Sequence, residues 1–220
     1  MNSHHHIKTK QNKPFQLLIK RLFDILFSLV MLIILSPVFL VLALWVMIDD
    51  GLPVFYKQKR SGQGKRVFEM YKFRSMKNKQ VSVSSNTHQH DEWEGGVPDD
   101  FVFKMASEEN PNITRSGQFL RKYSLDELPQ FMNVLKGDMS IIGPRPEILP
   151  ISKHYNEHQE GRLQVRPGIT GWAQVNGRSD MNHGEKIRHD LYYVKHFSLW
   201  LDLKILIKTF TQVISGKGSV

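Results

Sequence analysis

The longest apolar run in the chain extends from Ile25 to Ile48. It has about 24 residues, or roughly 36 Å as an α-helix, which is enough to cross the hydrocarbon core of a bilayer. Ser36 and Pro37 lie at its middle. A proline there removes a backbone hydrogen bond, and a serine hydroxyl can bond the freed carbonyl. The pattern therefore predicts a membrane-inserted helix that bends at this Ser-Pro pair.

Both flanks of the apolar run are basic, so the usual excess of positive charge on cytoplasmic loops does not assign its ends to opposite sides. This symmetry predicts a re-entrant helix, which enters one leaflet and returns with both ends in the cytoplasm. A kinked transmembrane helix is the alternative. The basic residues are Lys8, Lys10, Lys13, Lys20 and Arg21 before the run, and Lys57, Lys59, Arg60, Lys65 and Arg66 after it.

Two segments rich in β-branched and aromatic residues, Val54–Arg60 and Arg66–Phe73, follow on either side of the sequence SGQGK. They predict a β-hairpin with a five-residue loop. At the end of the second strand, Lys72 and Arg74 alternate with aromatic residues. One strand face can therefore present cations while the other packs, and a solvated edge is the alternative.

Two adjacent carboxylates, Asp126 and Glu127, stand at the predicted start of a helix in YSLDELPQFMNVLKGDMSIIGPRP. Ser124 and Glu127 match the S-x-x-E capping box, and Pro129 is tolerated only near a helix start. The helix should therefore begin between Ser124 and Asp126, where free amides and the helix dipole attract phosphate. Acidic residues also occur in first turns simply because they stabilise them. Nearby cations favour a site here: Arg121, Lys122 and Arg145, the last between Pro144 and Pro146.

The polar segment 78–112 is predicted to be a mobile loop or lid, with a short helix over Phe101–Glu108. Its run His88–Glu92 could bind a metal, but nothing there imposes ligand geometry, and we favour a solvated loop. The segment Ile148–Arg162 is predicted to be a surface helix. It carries His154 and His158 one turn apart, which is more typical of an exposed pair than of a zinc site.

A glycine-rich stretch, RPGITGWAQVNGR, occupies Arg166–Arg178. Such a loop can approach a ligand closely, and a structural turn with Trp172 in the core is the alternative. The apolar segment Leu199–Ile214 has Trp200 near its start and carries Lys204 and Lys208 one turn apart. This pattern is typical of a helix lying in a membrane interface, and a helix packed into the domain core is the alternative.

The 220 residues allow one domain of ordinary size plus a membrane element. The formal net charge of +9 suggests an anionic partner, either nucleic acid, a phosphorylated substrate or acidic lipid. Adjacent carboxylates would weaken binding to nucleic acid, which we therefore exclude. The absence of cysteine rules out disulfides and thiolate metal sites and fits a reducing, cytoplasmic setting.

Four motifs, SLDELPQ, NVLKGDMS, GPRP and RPGITGWAQVNGR, occur in this order along the chain. In them the sequence resembles the bacterial sugar transferases called monotopic phosphoglycosyl transferases, over about residues 15–214. The resemblance implies an α+β, mostly helical fold, with a re-entrant membrane helix, a β-hairpin and amphipathic interfacial helices around a small cytoplasmic catalytic domain. We expect a disordered basic N-terminus over 1–14, the membrane helix over 15–49 and the catalytic domain over 50–220.

The resemblance also implies a reaction, the transfer of a phosphosugar from a UDP-sugar to polyprenyl (undecaprenyl) phosphate with release of UMP. It places this reaction at the cytoplasmic face of the bacterial inner membrane. Asp126 is then expected to form an aspartyl-phosphosugar and Glu127 to hold a Mg²⁺ ion. Phosphate or nucleotide binding is expected from Lys72, Arg121, Arg145, Arg166 and Arg178.

Two other functions are compatible with the same residues. One is a membrane-anchored basic binding protein without catalysis, and the other is a hydrolase that releases the phosphosugar into water. The sequence leaves the transferred sugar open, and apolar surface near the membrane would permit a homodimer.

Overall fold

The computed structural model describes residues 13–77, 93–102, 112–177 and 181–214. The sequence predictions for His88–Glu92, for most of the short helix at Phe101–Glu108 and for Arg178 lie outside these ranges. The helices are α1 (Pro14–Ile34), α2 (Ser36–Asp50), α3 (Arg115–Lys122), α4 (Gln130–Lys136), α5 (Leu149–Ser152), α6 (Glu157–Glu160), α7 (Trp172–Asn176), α8 (His183–His196) and α9 (Leu199–Ile214). The strands are β1 (Phe55–Ser61), β2 (Val67–Phe73), β3 (Ser140–Ile142), β4 (Glu147–Ile148) and β5 (Gly168–Thr170), which confirms a mostly helical α+β fold.

The apolar run forms two helices, α1 and α2, which meet at Leu35 with a bend of 63°. The Ser36 hydroxyl donates to the Ile33 carbonyl at 2.8 Å. An amide at position 37 would bond this same carbonyl, but Pro37 has none. The predicted bend and the predicted role of the serine are therefore confirmed. No single helix in the described ranges could cross a membrane by length and composition, whereas the bent pair could do so together.

The two sides of α1 differ. On its inner side, Lys20 pairs with Asp202 of α9 at 2.8 Å, and buried Asp24 accepts from the Ile141 amide at 3.0 Å. These polar contacts fix α1 on the domain. Its outer side exposes large apolar side chains, which in a protein usually mark a surface covered by lipid or a partner. They include Phe15, Leu18, Leu22, Leu26 and Ile33.

The predicted hairpin is confirmed to within one residue at each strand end. β1 and β2 pair antiparallel from Phe55 opposite Phe73 to Ser61 opposite Val67, with a five-residue connection over 62–66. β4 extends this sheet on the other edge of β1. β3 and β5 form a separate parallel pair, which brings the segment before the GPRP motif against the glycine-rich stretch.

The main apolar core lies between β2, α4, β3, α8 and α9. The inner face of α9 contributes Leu201 and Ile205 to this core, so the alternative of a core-packed helix holds for that face. Its outer face leaves large apolar side chains exposed, as a helix in a membrane interface requires. They are Trp200, Leu203, Ile207, Phe210 and Val213.

The single surface helix predicted over Ile148–Arg162 is wrong. The segment forms α5, α6 and a 3₁₀ turn at Gly161–Gln164. Asn156 explains the break, because its side chain caps a new helix through a capping box with Gln159. The two histidines therefore do not share one continuous helix, and the ring of His154 packs 5.6 Å from that of Trp93.

Candidate active site

Asp126 and Glu127 lie in a 3₁₀ turn, Leu125–Glu127, between α3 and α4. Ser124 has a left-handed conformation (φ 54°) and makes no side-chain cap, and α4 begins only at Gln130. The predicted capping box is therefore wrong. The helical turn does begin at Leu125, within the predicted interval, and both carboxylates lie in its first turn. The carboxylate of Glu127 faces two cations instead of a backbone amide, and charge-assisted bonds of this kind are stronger than a neutral cap.

The carboxylate of Glu127 is held at both oxygens. Arg145 forms a forked pair with it, Nη2 to Oε1 at 2.5 Å and Nη1 to Oε2 at 3.2 Å. Lys72 Nζ donates to Oε1 at 2.8 Å. Burial raises the pKa of Glu127, but the charges of Arg145 and Lys72 outweigh burial and lower that pKa below its ordinary value. Glu127 is therefore ionised at neutral pH.

Asp126 is buried, with 8% of its surface exposed. Its Oδ2 lies 3.4 Å from Lys72 Nζ, so one ammonium bridges the two carboxylates. Burial is the main effect on Asp126 and raises its pKa, although Lys72 opposes this shift. The two neighbouring carboxyl groups thus have pKa values shifted in opposite directions, an arrangement that gives paired carboxylates different chemical roles.

Lys72 is positioned by Asn133 of α4, which the sequence did not single out. Asn133 is fully buried, and its Oδ1 accepts from the Tyr71 amide at 2.9 Å. Its Nδ2 donates to the Glu69 carbonyl at 2.7 Å. These two bonds fix β2 against α4 at two residues that shortly precede the lysine. In the sequence, Asn133 could have been noticed as the one polar residue in the apolar stretch FMNVL.

Arg145 is positioned through its backbone. Arg162, also missed in the sequence, is 1% exposed and donates from Nη2 to the Arg145 carbonyl at 2.7 Å. Arg60 Nη1 donates to the next carbonyl, of Pro146, at 3.2 Å. Arg162 Nη1 also pairs with Glu147 at 3.2 Å. Burial raises the pKa of Glu147, but Lys186 and Arg162 outweigh burial and lower it.

The glycine-rich stretch supports the same segment by close backbone contact. A Cβ added to Gly168 would lie 2.1 Å from the Gly143 amide nitrogen, so no other residue fits without a shift. Trp172 is half-buried and stacks on Tyr192 with a centroid distance of 5.6 Å. The stretch therefore has the structural role considered in the sequence, at least over 168–172.

The other basic residues singled out in the sequence lie in several elements. Arg121 lies in the last turn of α3, and its carbonyl accepts from the Ser124 amide at 3.1 Å. Arg166 lines a different cavity, beside Arg21. Arg74 pairs with Asp50 at 3.1 Å and binds carbonyls at the end of α2, which is a structural role. The described residues thus bring Lys72 and Arg145 to the carboxylates.

The predicted Mg²⁺ ligand, Glu127, fits such an ion in its chemistry. Mg²⁺ takes oxygen ligands, commonly one or two carboxylates together with water and substrate phosphate. An ionised Glu127 beside Asp126 supplies that donor set. Lys72 and Arg145 bind the Glu127 oxygens in this structure. These two cations would have to shift towards the substrate phosphate for the ion to bind Glu127.

The family model described as bacterial sugar transferase matches residues 15–216 of the chain. The uncharacterized sugar transferase EpsL of Bacillus subtilis is 39% identical over 202 residues, which cover 92% of this chain and 90% of the relative. The undecaprenyl-phosphate galactose phosphotransferase of Salmonella typhimurium is 41% identical over 207 residues, 91% of this chain but only 41% of the relative. The UDP-glucose:undecaprenyl-phosphate glucose-1-phosphate transferase of Escherichia coli is 39% identical over 210 residues, 92% of this chain and 41% of the relative.

These matches define the class of protein as transferases of phosphosugar groups. The chain belongs to the bacterial sugar transferase family, and the match covers every element that builds the carboxylate cluster. It spans less than half the length of the two relatives whose names state a reaction.

Proposed function

We propose that the chain is a membrane-bound phosphoglycosyl transferase that moves a phosphosugar from a UDP-sugar to polyprenyl (undecaprenyl) phosphate and releases UMP. One observation carries the proposal: Lys72 bridges the carboxylates of Asp126 and Glu127, and Arg145 forms a forked pair with Glu127. The names of the relatives support the undecaprenyl phosphate acceptor. Such a step would begin the assembly of a surface polysaccharide or a related glycan.

In the first step a carboxylate oxygen of Asp126 attacks the phosphorus that carries the sugar. A bond forms between this oxygen and phosphorus, and the bond from phosphorus to the bridging oxygen breaks. UMP leaves with that electron pair, and the enzyme holds an aspartyl-phosphosugar. In the second step an oxygen of polyprenyl phosphate attacks the same phosphorus, and the Asp126 carboxylate is released.

Lys72 and Arg145 neutralise the diphosphate so that an anionic nucleophile can approach it. Arg145 suits this role because its fork, which now binds a carboxylate, has the geometry to bind two phosphate oxygens. A Mg²⁺ ion held by Glu127 would supply further neutralisation of the diphosphate. Burial of Asp126 removes its hydration, which makes the ionised form more reactive once it has lost its proton.

We also propose that α1 and α2 form a re-entrant hairpin in the inner membrane, with the active site on the cytoplasmic face. Their exposed apolar side chains and the 63° bend support this placement. The outer face of α9 supplies a second apolar surface. The site would then lie at the level of the acceptor phosphate.

The proposal is tested by measuring UMP release from a panel of UDP-sugars by the purified chain, with and without undecaprenyl phosphate and Mg²⁺. We expect UMP and a lipid-linked phosphosugar to form in equal amounts with at least one sugar. Release of free phosphosugar without a lipid product would indicate a hydrolase. No turnover with any sugar, together with salt-sensitive binding of anionic lipid, would indicate a binding protein.

A further inference from the structure

A cationic cavity lies between α1 and the segment before β5, and none of the residues of the carboxylate cluster lines it. Its volume is about 300 Å³, at the lower end of the range of roughly 300–1,000 Å³ typical of small-molecule sites. Arg21 and Arg166 line it together with the apolar side chains of Leu17, Leu18 and Phe197. Burial and, after it, the positive charge of Arg166 lower the pKa of Arg21, so the two side chains act on each other across this cavity.

The charges of these cations are unequally compensated. Lys20, a further lining residue, pairs with Asp202 at 2.8 Å. Arg21 donates to the carbonyls of Val134 and Leu135 at 2.7 and 3.0 Å, at the negative end of α4. Within the described ranges, the half-buried guanidinium of Arg166 has neither an ion pair nor a hydrogen bond. The cavity therefore carries uncompensated positive charge.

An unpaired guanidinium beside a second one is costly in a partly apolar cavity unless an anion binds there. Phosphate suits this position because the fork of arginine matches two of its oxygens. Most of the other lining residues are apolar, with Leu17, Leu18, Ile142 and Val165 beside the rings of Tyr193 and Phe197. The chemistry therefore points to a phosphate group with an apolar attachment.

The position of the cavity favours a lipid as the source of this phosphate. Leu17 and Leu18 lie in the first turns of α1 and are 39% and 57% exposed. They precede the long apolar run that begins at Ile25, so in a membrane they would lie at headgroup level. Phe15 and Leu22 continue this exposed apolar surface along α1.

We propose that this cavity binds the phosphate of an anionic glycerophospholipid, with Arg166 and Arg21 as its cationic partners. Such a bound lipid would fix the level and orientation of the domain at the membrane surface. The inference rests on the membrane attachment in the proposed function and is independent of sugar transfer.

The test titrates the full chain in neutral detergent with dioctanoyl phosphatidylglycerol and counts bound lipid by native mass spectrometry. The variant Arg166→Gln should weaken binding on the order of tenfold or more, the effect of losing a hydrogen-bonded charge. Arg166→Lys should be intermediate, because it keeps the charge and loses the fork. The matched control is Arg188→Gln, on the exposed side of α8, which should bind like the wild type.

Two further probes separate the sources of binding energy. Dioctanoylglycerol, which lacks phosphate, should bind weakly, and inorganic phosphate should compete poorly because it lacks the acyl chains. Equal lipid binding by Arg166→Gln and wild type would overturn the site. Equal binding of dioctanoylglycerol, or displacement by phosphate at the same concentration as lipid, would overturn its assignment to a phospholipid. No nucleotide sugar is present, so these outcomes do not depend on whether the chain is a transferase.

Discussion

At the scale of single residues, Glu127 is the centre of the charge arrangement. Arg145 binds both of its oxygens, and Lys72 extends the arrangement to Asp126. These cations neutralise Glu127, and they oppose the rise that burial causes in the pKa of Asp126. In the proposed reaction, a diphosphate would give these cations a second anion to bind, so substrate binding would affect the ionisation of Asp126.

Replacing Arg145 with lysine tests whether the fork matters beyond its charge. Arg145→Lys should lower kcat/KM for UMP release on the order of tenfold or more, because an ammonium cannot bind two oxygens in parallel. Arg188→Lys, at an exposed position of α8, is the control for a conservative arginine change. Similar rates in the two variants would give Arg145 a purely structural role.

The pH dependence of the first step follows from Asp126. Its pKa is raised by burial, so the proton is lost at a higher pH than from an exposed aspartate. The rate of UMP release at saturating UDP-sugar should therefore rise with pH through this raised pKa, while Glu127 stays ionised throughout. Stopped-flow measurement of UMP formation over a range of pH values determines this dependence. A rate that stays constant down to the ordinary aspartate pKa would contradict the assignment.

At the scale of elements, the sequence predicted features with local signals. The Ser-Pro bend and the hairpin depend on residues close in the chain, and both are confirmed. The capping box at Ser124 was wrong because distant Lys72 and Arg145 bind the Glu127 carboxylate. The burial of Asn133 and Arg162 likewise depends on tertiary contacts, which one sequence does not display.

The buried ion pairs behind Arg145 predict acid sensitivity. The pKa of Glu147 is lowered in the folded state, so its stabilising contribution is complete above the ordinary glutamate pKa and is lost as pH falls below it. Glu147→Gln should lower the free energy of unfolding by about 3 kcal/mol at pH 7, because Arg162 then loses a buried partner.

Urea unfolding at pH 7 and at pH 4 measures both effects of this substitution. The difference between variant and wild type should shrink at the lower pH. Glu157→Gln on the exposed side of α6 is the control, and it should change stability little at either pH. An unchanged unfolding midpoint for Glu147→Gln would contradict the role of the pairs.

At the scale of the whole molecule, polar and apolar surfaces are divided between α1, α2 and α9. The inner sides of α1 and α9 are joined by Lys20 and Asp202, while their outer sides expose apolar residues. This division favours a chain that lies in one leaflet with its catalytic part at the surface. The bend at Ser36 turns α2 away from the direction of α1.

Membrane topology can be tested with cysteine labels, since the chain has no natural cysteine. Labels near residues 10 and 215 should both react only from the cytoplasmic side of intact cells. An externally reactive N-terminal label would contradict the re-entrant form. Replacing Pro37 with alanine should straighten the bend and shift part of the population towards a spanning form.

The central claim is that Asp126 becomes covalently attached to the phosphosugar. Intact-protein mass spectrometry after incubation with an accepted UDP-sugar and Mg²⁺, without lipid acceptor, tests it most directly. We predict a mass increase of one phosphosugar on the peptide containing Asp126, absent in Asp126→Asn, and reduced in Glu127→Gln in a way that depends on Mg²⁺ concentration. Strictly sequential kinetics with no adduct in the active wild-type enzyme would contradict the account and leave the acceptor phosphate as the direct nucleophile.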